Sequence, residues 1–570
     1  MIKRLTALIQ ARYSSDIFPG RSMVKITGKT IIEHIIERIR QVAYVSDIIL
    51  ATTTDTEDDA LVDETQRLGI RVYRGSKNDV VGRLWEAVDS SQSETILKVN
   101  GNYPLFDPYV ANDLVNAHFQ GDYDLSYSEH FQGTVYGTGC FIFQKRILSQ
   151  LNTKMLTAEQ RDAGLLCFYQ NSSMVKLKKF RYANPRPHYS VCFDTDKDLE
   201  LIEFIFKNIA RPYTKEIIKL LDNNPILVRL NKKESIQEVG LEKLYLFPEK
   251  FVTLSRRDLF EIDNSYPINI ELSLTDRCNF NCVWCSDKNI RSRINGDIKL
   301  GTLKKLFADL KQGGTKGIVI EGGGEPTIHK NFADIVNLAN SLGFGIGLIT
   351  NGSIEIERDI ADNLEWIRVS LDASNPEEQK LLKNTDTFEK VISNIKRLCS
   401  SKATIGVGYV VTSKNIEDIE FLILRLRNIG VRYIQFRPVI DHEDLDTNVD
   451  LSYLKRYQNS KFYVIADGMH QNLIDGNDNL PCIAHSLTSV IASDGSVYLC
   501  GRLNIHEWIE SIGNINKQPF KDIWLGKKRR EQSMMVLNPK FCKKYCPRCR
   551  LTKFNQLFNR LYKTKTKNFI

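Results

Sequence analysis

Three closely spaced cysteines are the residues of this sequence that point most directly to chemistry. Cys278, Cys282 and Cys285 lie within eight residues, directly after a predicted strand that ends at Thr275. Cysteine thiolates hold iron–sulfur clusters, and a four-iron cluster with three protein thiolates keeps one iron open for a substrate or cofactor. Structural zinc usually takes paired Cys-x2-Cys knuckles or histidines, and no histidine lies near these cysteines in the sequence. The spacing therefore favours an open iron–sulfur cluster over zinc.

A second group of cysteines lies toward the C-terminus. Its five members fall within 68 residues: Cys482, Cys500, Cys542, Cys546 and Cys549. The segment ASDGSVYLCG has the pattern of a hairpin that carries Cys500, and the last three cysteines form a compact knuckle. Two thiolates from the hairpin region and two or three from the knuckle would make a four-ligand site. The spacing allows either zinc or an iron–sulfur cluster there.

The first group of cysteines belongs to a repeating strand–helix pattern that begins at Asn269. Six predicted strands alternate with helical stretches, which is typical of a partial (β/α)6 TIM-type barrel: INIELSLT, GIVIEGGG, FGIGLITNG, WIRVSLDAS, TIGVGYVVT and YIQFRPV. Barrel enzymes bind their ligands at the carboxyl ends of the strands. The candidate binding residues at those ends are Gly322, Gly323, Gly324, Glu325, Asn351, Ser370 and Asp372. We predict a barrel over 266–446 and a cysteine-rich module with a basic tail over 447–570.

The first half of the chain shows α/β patterning of its own. The strand-like TALIQA, the amphipathic helix TIIEHIIERIRQV and the strand-like DIILATTT follow one another, and HYSVCFDT is a later candidate unit. We predict a Rossmann-like domain over residues 1–232. Residues 233–265 are rich in Lys and Glu, which is typical of a linker between domains.

Length and charge agree with several domains in a soluble protein. The 570 residues exceed what one hydrophobic core normally supports. The net charge of +9 includes clusters of Lys and Arg, which we interpret as a solvated surface rather than a nucleic-acid-binding site. No uncharged apolar stretch approaches the roughly 20 residues of a membrane helix. We therefore expect a cytoplasmic protein with no membrane partner.

The barrel segment resembles the radical S-adenosylmethionine (SAM) superfamily. The resemblance rests on the Cys-x3-Cys-x2-Cys spacing, on Trp284 before the last cysteine, and on the glycine-rich strand end that runs from Gly322 to Pro326. It implies a [4Fe-4S] cluster on Cys278, Cys282 and Cys285, with SAM bound by the strand-end residues and Trp284. It also implies reductive cleavage of SAM to a 5′-deoxyadenosyl radical, with electrons from a donor such as flavodoxin or ferredoxin.

The tail resembles the SPASM and twitch modules that follow many radical SAM barrels. This resemblance implies an auxiliary [4Fe-4S] cluster held by Cys482, Cys500, Cys546 and Cys549, with Cys542 spare or substituting for one of them. A full SPASM set has more cysteines than this tail, so we expect one auxiliary cluster rather than two.

The first domain resembles the cytidylyltransferases that activate acidic and spore-coat-type sugars as CMP conjugates. The motifs are ALIQAR, Pro-Gly-Arg at 19–21, KVNGNYPLFDP and FDTDKDLELI. The resemblance implies a nucleotide site with Arg12, Arg21, Asn102 and Asp194, and Mg²⁺ at that site. The family has Gly-Asp where this chain has Gly-Asn102, so a metal-binding carboxylate is replaced by a neutral amide. We expect a domain that binds a nucleotide or sugar nucleotide but transfers nucleotidyl groups poorly or not at all.

The two halves together predict a radical SAM enzyme that abstracts hydrogen from a sugar or sugar nucleotide. Oxidation and epimerisation both fit hydrogen abstraction, and the setting would be polysaccharide or glycoconjugate biosynthesis. One alternative is a radical SAM maturase that modifies a peptide. Another is an active CMP-sugar cytidylyltransferase with an appended cluster domain.

Overall fold

The chain forms two compact units, Met1–Glu234 and Ser235–Ile570. The computed structural model describes residues 4–14, 18–128, 133–153, 156, 161, 165, 175–183, 185–186, 189–224, 227–228, 244, 246–256, 261–285, 287–294, 296–439, 442, 444–445, 449–466, 480–501, 503–546, 549 and 551–563. In the described part of the chain, no helix is long and apolar enough to cross a membrane.

The first unit is built on a mixed seven-stranded sheet with the order β5-β4-β1-β6-β8-β7-β9. Strand β1 runs parallel to its neighbours β4 and β6, whereas β8 is antiparallel to both β6 and β7. The strands are β1 (Leu5–Gln10), β2 (Lys25–Ile26), β3 (Lys29–Thr30), β4 (Val45–Thr53), β5 (Arg71–Gly75), β6 (Thr95–Asn100), β7 (Leu125–Tyr127), β8 (Phe141–Gln144) and β9 (Leu177–Lys179). Strands β2 and β3 form a separate two-stranded ribbon.

Helices cover this sheet because their apolar residues recur on one face. In α1 the five isoleucines at 31, 32, 35, 36 and 39 are fully buried, and the Thr30 side chain caps the helix by accepting from the Glu33 N–H over 3.2 Å. The α-helices are α1 (Ile31–Ile39), α2 (Asp59–Arg67), α3 (Val80–Asp89), α4 (Pro108–Gly121), α5 (Lys145–Thr153), α6 (Asp196–Asn208) and α7 (Thr214–Asp222). Short 3₁₀ turns lie at Arg21–Met23 and Thr56–Asp58.

The second unit is built on a ten-stranded sheet with the order β16-β15-β14-β13-β12-β11-β10-β17-β18-β19. The six strands β10 to β15 are consecutive and parallel, as the sequence pattern predicts for a partial barrel. The strands are β10 (Asn269–Leu272), β11 (Gly317–Ile320), β12 (Gly345–Thr350), β13 (Trp366–Ser370), β14 (Thr404–Val411), β15 (Tyr433–Pro438), β16 (Tyr463–Ile465), β17 (Thr488–Ile491), β18 (Ser496–Tyr498) and β19 (Gly513–Asn514). The expected α/β class, with a Rossmann-like domain before a barrel, is confirmed.

The predicted hairpin of the tail continues the barrel sheet. Strand β17 pairs in parallel with β10, and β18 turns back antiparallel to β17. The helices of this unit are α8 (Pro248–Arg256), α9 (Lys288–Arg293), α10 (Leu300–Gln312), α11 (Phe332–Ser341), α12 (Arg358–Ala361), α13 (Pro376–Lys383), α14 (Phe388–Leu398), α15 (Ile419–Asn428), α16 (Phe520–Trp524), α17 (Lys527–Leu537), α18 (Pro539–Tyr545) and α19 (Thr552–Lys563). Short 3₁₀ helices lie at Pro326–Ile328, Ser452–Tyr457 and Ala484–Leu487.

Part of the predicted linker packs onto the second unit. Helix α8 carries Lys250, which is buried and forms a 2.5 Å ion pair with the buried Asp263. The Phe251 ring lies 6.0 Å from the Phe558 ring of α19. The interval 233–265 therefore contains a packed helix as well as residues outside the described range, and its boundaries stay a prediction.

Candidate active site

The cysteine loop, residues 278–285, joins β10 to α9 and is fastened to the end of α13. The Val283 N–H donates to the Leu382 carbonyl over 2.9 Å. The side-chain amide of Asn384 donates to the Asn281 carbonyl over 2.8 Å. These hydrogen bonds fix backbone on both sides of Cys282, so the fold itself sets the position of the loop.

A second set of contacts fastens the cysteine loop to the end of β12. The Asn279 amide donates to Ser353 Oγ over 2.8 Å, and the Asn351 amide donates to Asn279 Oδ1 over 2.8 Å. Asn351 Oδ1 in turn accepts from the N–H and the hydroxyl of Ser353. The Asn351 side chain thus acts as a brace for the cysteine loop, and its predicted contact with SAM stays a prediction.

The three thiols of the loop form no disulfide and are partly exposed. Burial raises the pKa of Cys282 to about 11 and also raises the pKa of Cys285. Arg291 Nη2 lies 3.4 Å from the Cys285 sulfur, where its charge favours the thiolate. Three thiols on one fixed loop fit the donor set of a four-iron cluster with one open iron. In the described part of the chain, no three His, Cys, Asp or Glu side chains form a group that could hold a metal ion. This absence agrees with a cluster, because each thiolate of a cluster binds a separate iron and the thiolates need not converge on a single ion.

The glycines after β11 bring two backbone segments into contact. Gly322 and Gly323 have positive φ angles of 82° and 62°, which disfavour other residues. A Cβ on Gly324 would lie 1.8 Å from the Arg277 carbonyl oxygen, beside the first cysteine. The N–H of Gly324 donates to the Thr275 carbonyl over 2.8 Å. Only glycine allows this strand end to approach the start of the cysteine loop so closely.

The Glu325 carboxylate is buried and fully occupied by hydrogen bonds. Its Oε1 accepts from the Thr350 and Thr327 hydroxyls, each over 2.6 Å, and its Oε2 accepts from the Asn351 N–H over 2.7 Å. These bonds join the ends of β11 and β12. Glu325 is therefore a positioning residue, which holds the glycine segment in place through these hydrogen bonds.

A buried lysine that the sequence analysis missed joins two predicted site residues. Lys383 Nζ lies 2.9 Å from the Asp372 carboxylate, donates to the Ser370 carbonyl, and lies 5.7 Å from the ring of Phe280 in the cysteine loop. The Lys383 and Asp372 side chains are only 2% and 6% exposed. Trp284 packs beside them in a small apolar cluster with Leu382. These contacts hold the cysteine loop in position.

A cavity of about 310 Å³ opens beside the glycine segment. Of the predicted residues, Gly322, Gly323 and Ser370 line this cavity. Gly324, Glu325, Asn351, Asp372 and Trp284 lie outside its lining. The structure thus divides the predicted set into residues that face the cavity and residues that hold those in place.

Charged side chains inside the barrel were also missed by the sequence analysis. Arg437 and Glu321 line the cavity, and Arg368 lines a second cavity of about 360 Å³ that shares Glu321 with the first. Burial lowers the pKa of Arg437 to about 10 and raises the pKa of Glu321. The alternation of apolar Ile367 and Val369 with polar Arg368 and Ser370 along β13 is the sequence signal that could have placed Arg368 on the inner face.

The tail brings Cys482, Cys542 and Cys546 together. Cys542 lies within hydrogen-bonding reach of both other thiols, and these contacts raise its pKa. The hydrogen bond from Cys542 lowers the pKa of Cys482. The Val536 carbonyl accepts from the Cys482 N–H over 3.0 Å and from the Cys542 thiol over 3.3 Å. The cysteine that the sequence analysis left spare or substituting therefore lies between two predicted ligands.

Cys500 and Cys549 are buried in the same module. Cys500 follows the predicted hairpin of β17 and β18. Cys549 Sγ accepts from the Leu551 N–H over 3.4 Å. All five thiols are therefore inside the folded tail, which suits a cluster or a zinc ion shielded from solvent.

The first unit has a basic pocket at the carboxyl ends of β1 and β6. The pocket has a volume of about 330 Å³, and its lining includes Arg12, Arg21, Arg83 and Asn102. A Cβ on Gly101 would lie 2.3 Å from the Ala11 Cβ, so glycine lets the two strand ends meet. None of the described residues that line the pocket carries a carboxylate. The pocket suits an anionic ligand.

The predicted carboxylate Asp194 is not part of the pocket lining and is already paired with two residues that are. Arg21 Nη1 lies 2.5 Å from Asp194 Oδ1, and the Asn102 amide donates to the same oxygen over 3.0 Å. The Asn102 amide also donates to the Cys192 sulfur over 2.8 Å. Mg²⁺ prefers carboxylate and water oxygens. Paired arginines and a neutral amide do not fit the expected Mg²⁺ ion.

Comparisons with known sequence families agree with this division of the chain. The Cytidylyltransferase family matches residues 6–211, the Radical SAM superfamily matches 272–426, and the SPASM iron-sulfur cluster-binding domain matches 482–550. The protein is therefore a radical SAM enzyme with a SPASM domain and a cytidylyltransferase-like domain. Its cofactors are SAM and [4Fe-4S] clusters.

Curated relatives cover either the first or the second half of the chain. The spore coat polysaccharide biosynthesis protein SpsF of Bacillus subtilis (strain 168) is 25% identical over 228 residues, which is 38% of this chain and 94% of the relative. The tungsten-containing aldehyde ferredoxin oxidoreductase cofactor-modifying protein of Pyrococcus furiosus is 23% identical over 44% of this chain and 79% of its own length. An S-adenosylmethionine-dependent nucleotide dehydratase of Selenomonas ruminantium is 27% identical over 27% of this chain and 59% of its own length.

Proposed function

We propose that this enzyme abstracts hydrogen from a sugar or sugar nucleotide, leading to oxidation or epimerisation, in polysaccharide or glycoconjugate biosynthesis. The observation that carries the proposal is the basic pocket with Arg12 and Arg21 in the same chain as a radical SAM barrel. Two relatives, the spore coat polysaccharide biosynthesis protein SpsF and the S-adenosylmethionine-dependent nucleotide dehydratase, support this substrate class.

The residues of the barrel prepare the site for that chemistry. When bound, SAM and its cluster supply a 5′-deoxyadenosyl radical that abstracts hydrogen from the substrate. The three thiols of the cysteine loop hold the cluster, and the segment at Gly322 and Gly323 offers close approach to backbone. Lys383 and Glu325 keep these two segments in position. The cavity beside them limits access of water to the reacting atoms.

The basic pocket of the first unit would bind a nucleotide or sugar nucleotide. Arg12→Ala should weaken binding of a CDP-sugar about tenfold or more, because a charge-assisted hydrogen bond to phosphate contributes roughly 1.5–3 kcal/mol. Isothermal titration calorimetry measures this change, and Arg40→Ala, an exposed arginine of the same unit, is the matched control. If the folded protein binds no CDP- or CMP-sugar, the proposed substrate class is wrong.

Nucleotidyl transfer by the same pocket is expected to be absent or slow. With CTP and a panel of acidic sugars, the unaltered protein should release pyrophosphate at background rates, because Asp194 is paired with Arg21 and Asn102 is neutral. Asn102→Asp should raise the rate if the lost carboxylate is the main defect. Turnover at an ordinary enzymatic rate by the unaltered protein would instead establish an active cytidylyltransferase.

We further propose that Cys482, Cys542 and Cys546 are three ligands of the auxiliary cluster. Cys542→Ser should lower the iron content from about eight to about four per chain, because one of two four-iron clusters loses a central ligand. Cys399→Ser, a half-buried thiol of the barrel, is the control and should keep all the iron. Iron, sulfide and zinc analysis decides the question. About four irons with stoichiometric zinc in the unaltered protein would show a structural zinc site instead.

An acidic electron carrier such as flavodoxin or ferredoxin is the proposed electron donor. The surface beside Cys542 and Cys546 supports this proposal, because Trp508 is 54% exposed and its ring lies 5.0 Å from the Tyr545 ring. Lys540, Lys543 and Lys544 of α18 are exposed, and Lys544 Nζ lies 4.9 Å from the Tyr545 ring. Positive charge attracts acidic partners. Location in the cytoplasm, where such carriers occur, stays a prediction.

A further inference from the structure

Two arginines from different strands meet inside the barrel. An ideal Cβ on Gly408 would lie 3.0 Å from Arg437 Nη2 and 3.5 Å from Arg368 Cδ. Arg368 belongs to β13 and Arg437 to β15, and Gly408 lies on β14 between them. A Cβ at residue 408 would crowd the Arg437 guanidinium and would be in van der Waals contact with the methylene chain of Arg368. Glycine therefore leaves room for the two arginines to approach one another over the same strand.

The two guanidinium groups have unused hydrogen-bonding capacity. Nε of Arg368 and Nε of Arg437 are both buried, and neither has a hydrogen-bond partner among the described residues. Arg368 Nη1 donates to Gln435 Oε1 over 2.8 Å, which fixes its orientation. A buried charge without a hydrogen-bonded partner is costly, and so is the repulsion between two like charges. A bound anion would offset both costs, because its negative charge attracts the two guanidinium groups and its oxygens accept hydrogen bonds from them.

The neighbouring carboxylates do not serve as that anion. Asp372 is committed to Lys383 and to the Val410 N–H. Glu321 faces the same interior and attracts both arginines, but the described residues include no ion pair between them. Burial also raises the pKa of Glu321, whereas the two arginines lower it. Glu271, Asp276 and Asp287 also line these cavities, but among the described residues none of them forms an ion pair with either arginine. Arg437 therefore keeps positive charge at the first cavity and Arg368 at the second.

We infer that Arg368 and Arg437 bind an oxyanion of the substrate, either a carboxylate or a phosphate, inside the barrel. Guanidinium groups bind both kinds of oxyanion through two parallel hydrogen bonds. This inference rests on the proposed function, since it assigns the anion to a sugar acid or sugar phosphate. The carboxylate of SAM is the other possible source of the same chemistry, and the experiment separates the two.

Fluorescence of Trp366 is used to detect anion binding, because its ring lies 6.0 Å from the Arg368 guanidinium. Fluorescence of the reconstituted full-length protein is titrated with inorganic phosphate, glucuronate and glucose, and the signal of a Trp366→Phe variant is subtracted. Phosphate and glucuronate should change the Trp366 signal and glucose should not. Arg437→Gln should weaken both anions at least tenfold, whereas Arg397→Gln, an exposed helix arginine, should leave them unchanged. If Arg437→Gln does not fold, the same titration is done with Arg437→Lys.

A second experiment measures the binding of SAM to the same variants by equilibrium dialysis. We expect Arg437→Gln to change SAM affinity by less than threefold. A tenfold loss of SAM affinity with unchanged phosphate binding would assign the pair to SAM and overturn the inference. Equal responses to glucose and glucuronate would overturn it as well. A protein that keeps the anion response at Trp366 but binds no CDP-sugar would support the arginine site and reject the proposed function, so the two failures are distinguishable.

Discussion

Cys282→Ser is expected to abolish formation of 5′-deoxyadenosine from SAM under anaerobic reducing conditions. The fold fixes Cys282 between two backbone hydrogen bonds, Val283 to Leu382 and Asn384 to Asn281. A cluster that loses one of three thiolates cannot keep a stable open iron for SAM. The expected iron content falls by about four per chain. Product is measured by chromatography after reconstitution, with iron analysis on the same sample.

Cys399→Ser is the matched control for this experiment. Burial raises the pKa of the Cys399 thiol to about 11, as it does for Cys282, yet Cys399 lies at the end of α14 away from the cysteine loop. The two substitutions therefore remove chemically similar thiols from different places. Full iron content and undiminished 5′-deoxyadenosine in the Cys282→Ser variant would disprove the assignment of the cysteine loop to the SAM-binding cluster.

Strands and helices of both units could be predicted because their apolar residues form short continuous runs or recur on one helical face. The buried run of β1 and the isoleucine face of α1 are examples. The segment HYSVCFDT carries a similar signal, yet among its described residues the only β-pairing is the isolated bridge from Tyr136 to Ser190. Its backbone turns to the pocket instead, where the Phe193 N–H donates to the Asn102 carbonyl over 2.9 Å. Local pattern predicts an extended chain there but not its partner.

Sequence patterns could not predict the residues that hold the site in position, because those residues are brought together only by the tertiary fold. Lys383 ends a helix rich in Glu and Lys, where a lysine is usually solvated, and only the tertiary fold places Asp372 beside it. Likewise, Cys542 lies 60 positions after Cys482, so spacing alone cannot show that these two thiols meet. Motifs predicted the groups that would carry chemistry, whereas the groups that hold them in position depend on contacts between distant segments.

Lys383→Met is expected to destabilise the barrel by about 3–5 kcal/mol, because it leaves the buried Asp372 carboxylate without its cation. The side chains are 2% and 6% exposed, so water cannot replace the lost partner. Unfolding of the second unit is followed by circular dichroism in urea. Lys380→Met removes an exposed lysine from the same helix and should change stability by less than about 0.5 kcal/mol.

The double substitution Lys383→Met with Asp372→Asn separates the charge from the packing. Asn tolerates the positive φ of 52° at residue 372 and keeps an oxygen that can accept from the Val410 N–H. The double variant should therefore recover more than half of the lost stability, because neither residue 372 nor residue 383 then carries a charge. Recovery of stability without recovery of 5′-deoxyadenosine formation would show that Lys383 also positions the cysteine loop through Phe280 and the Ser370 carbonyl. A double variant no more stable than Lys383→Met alone would show that the lysine stabilises the barrel by packing rather than by charge.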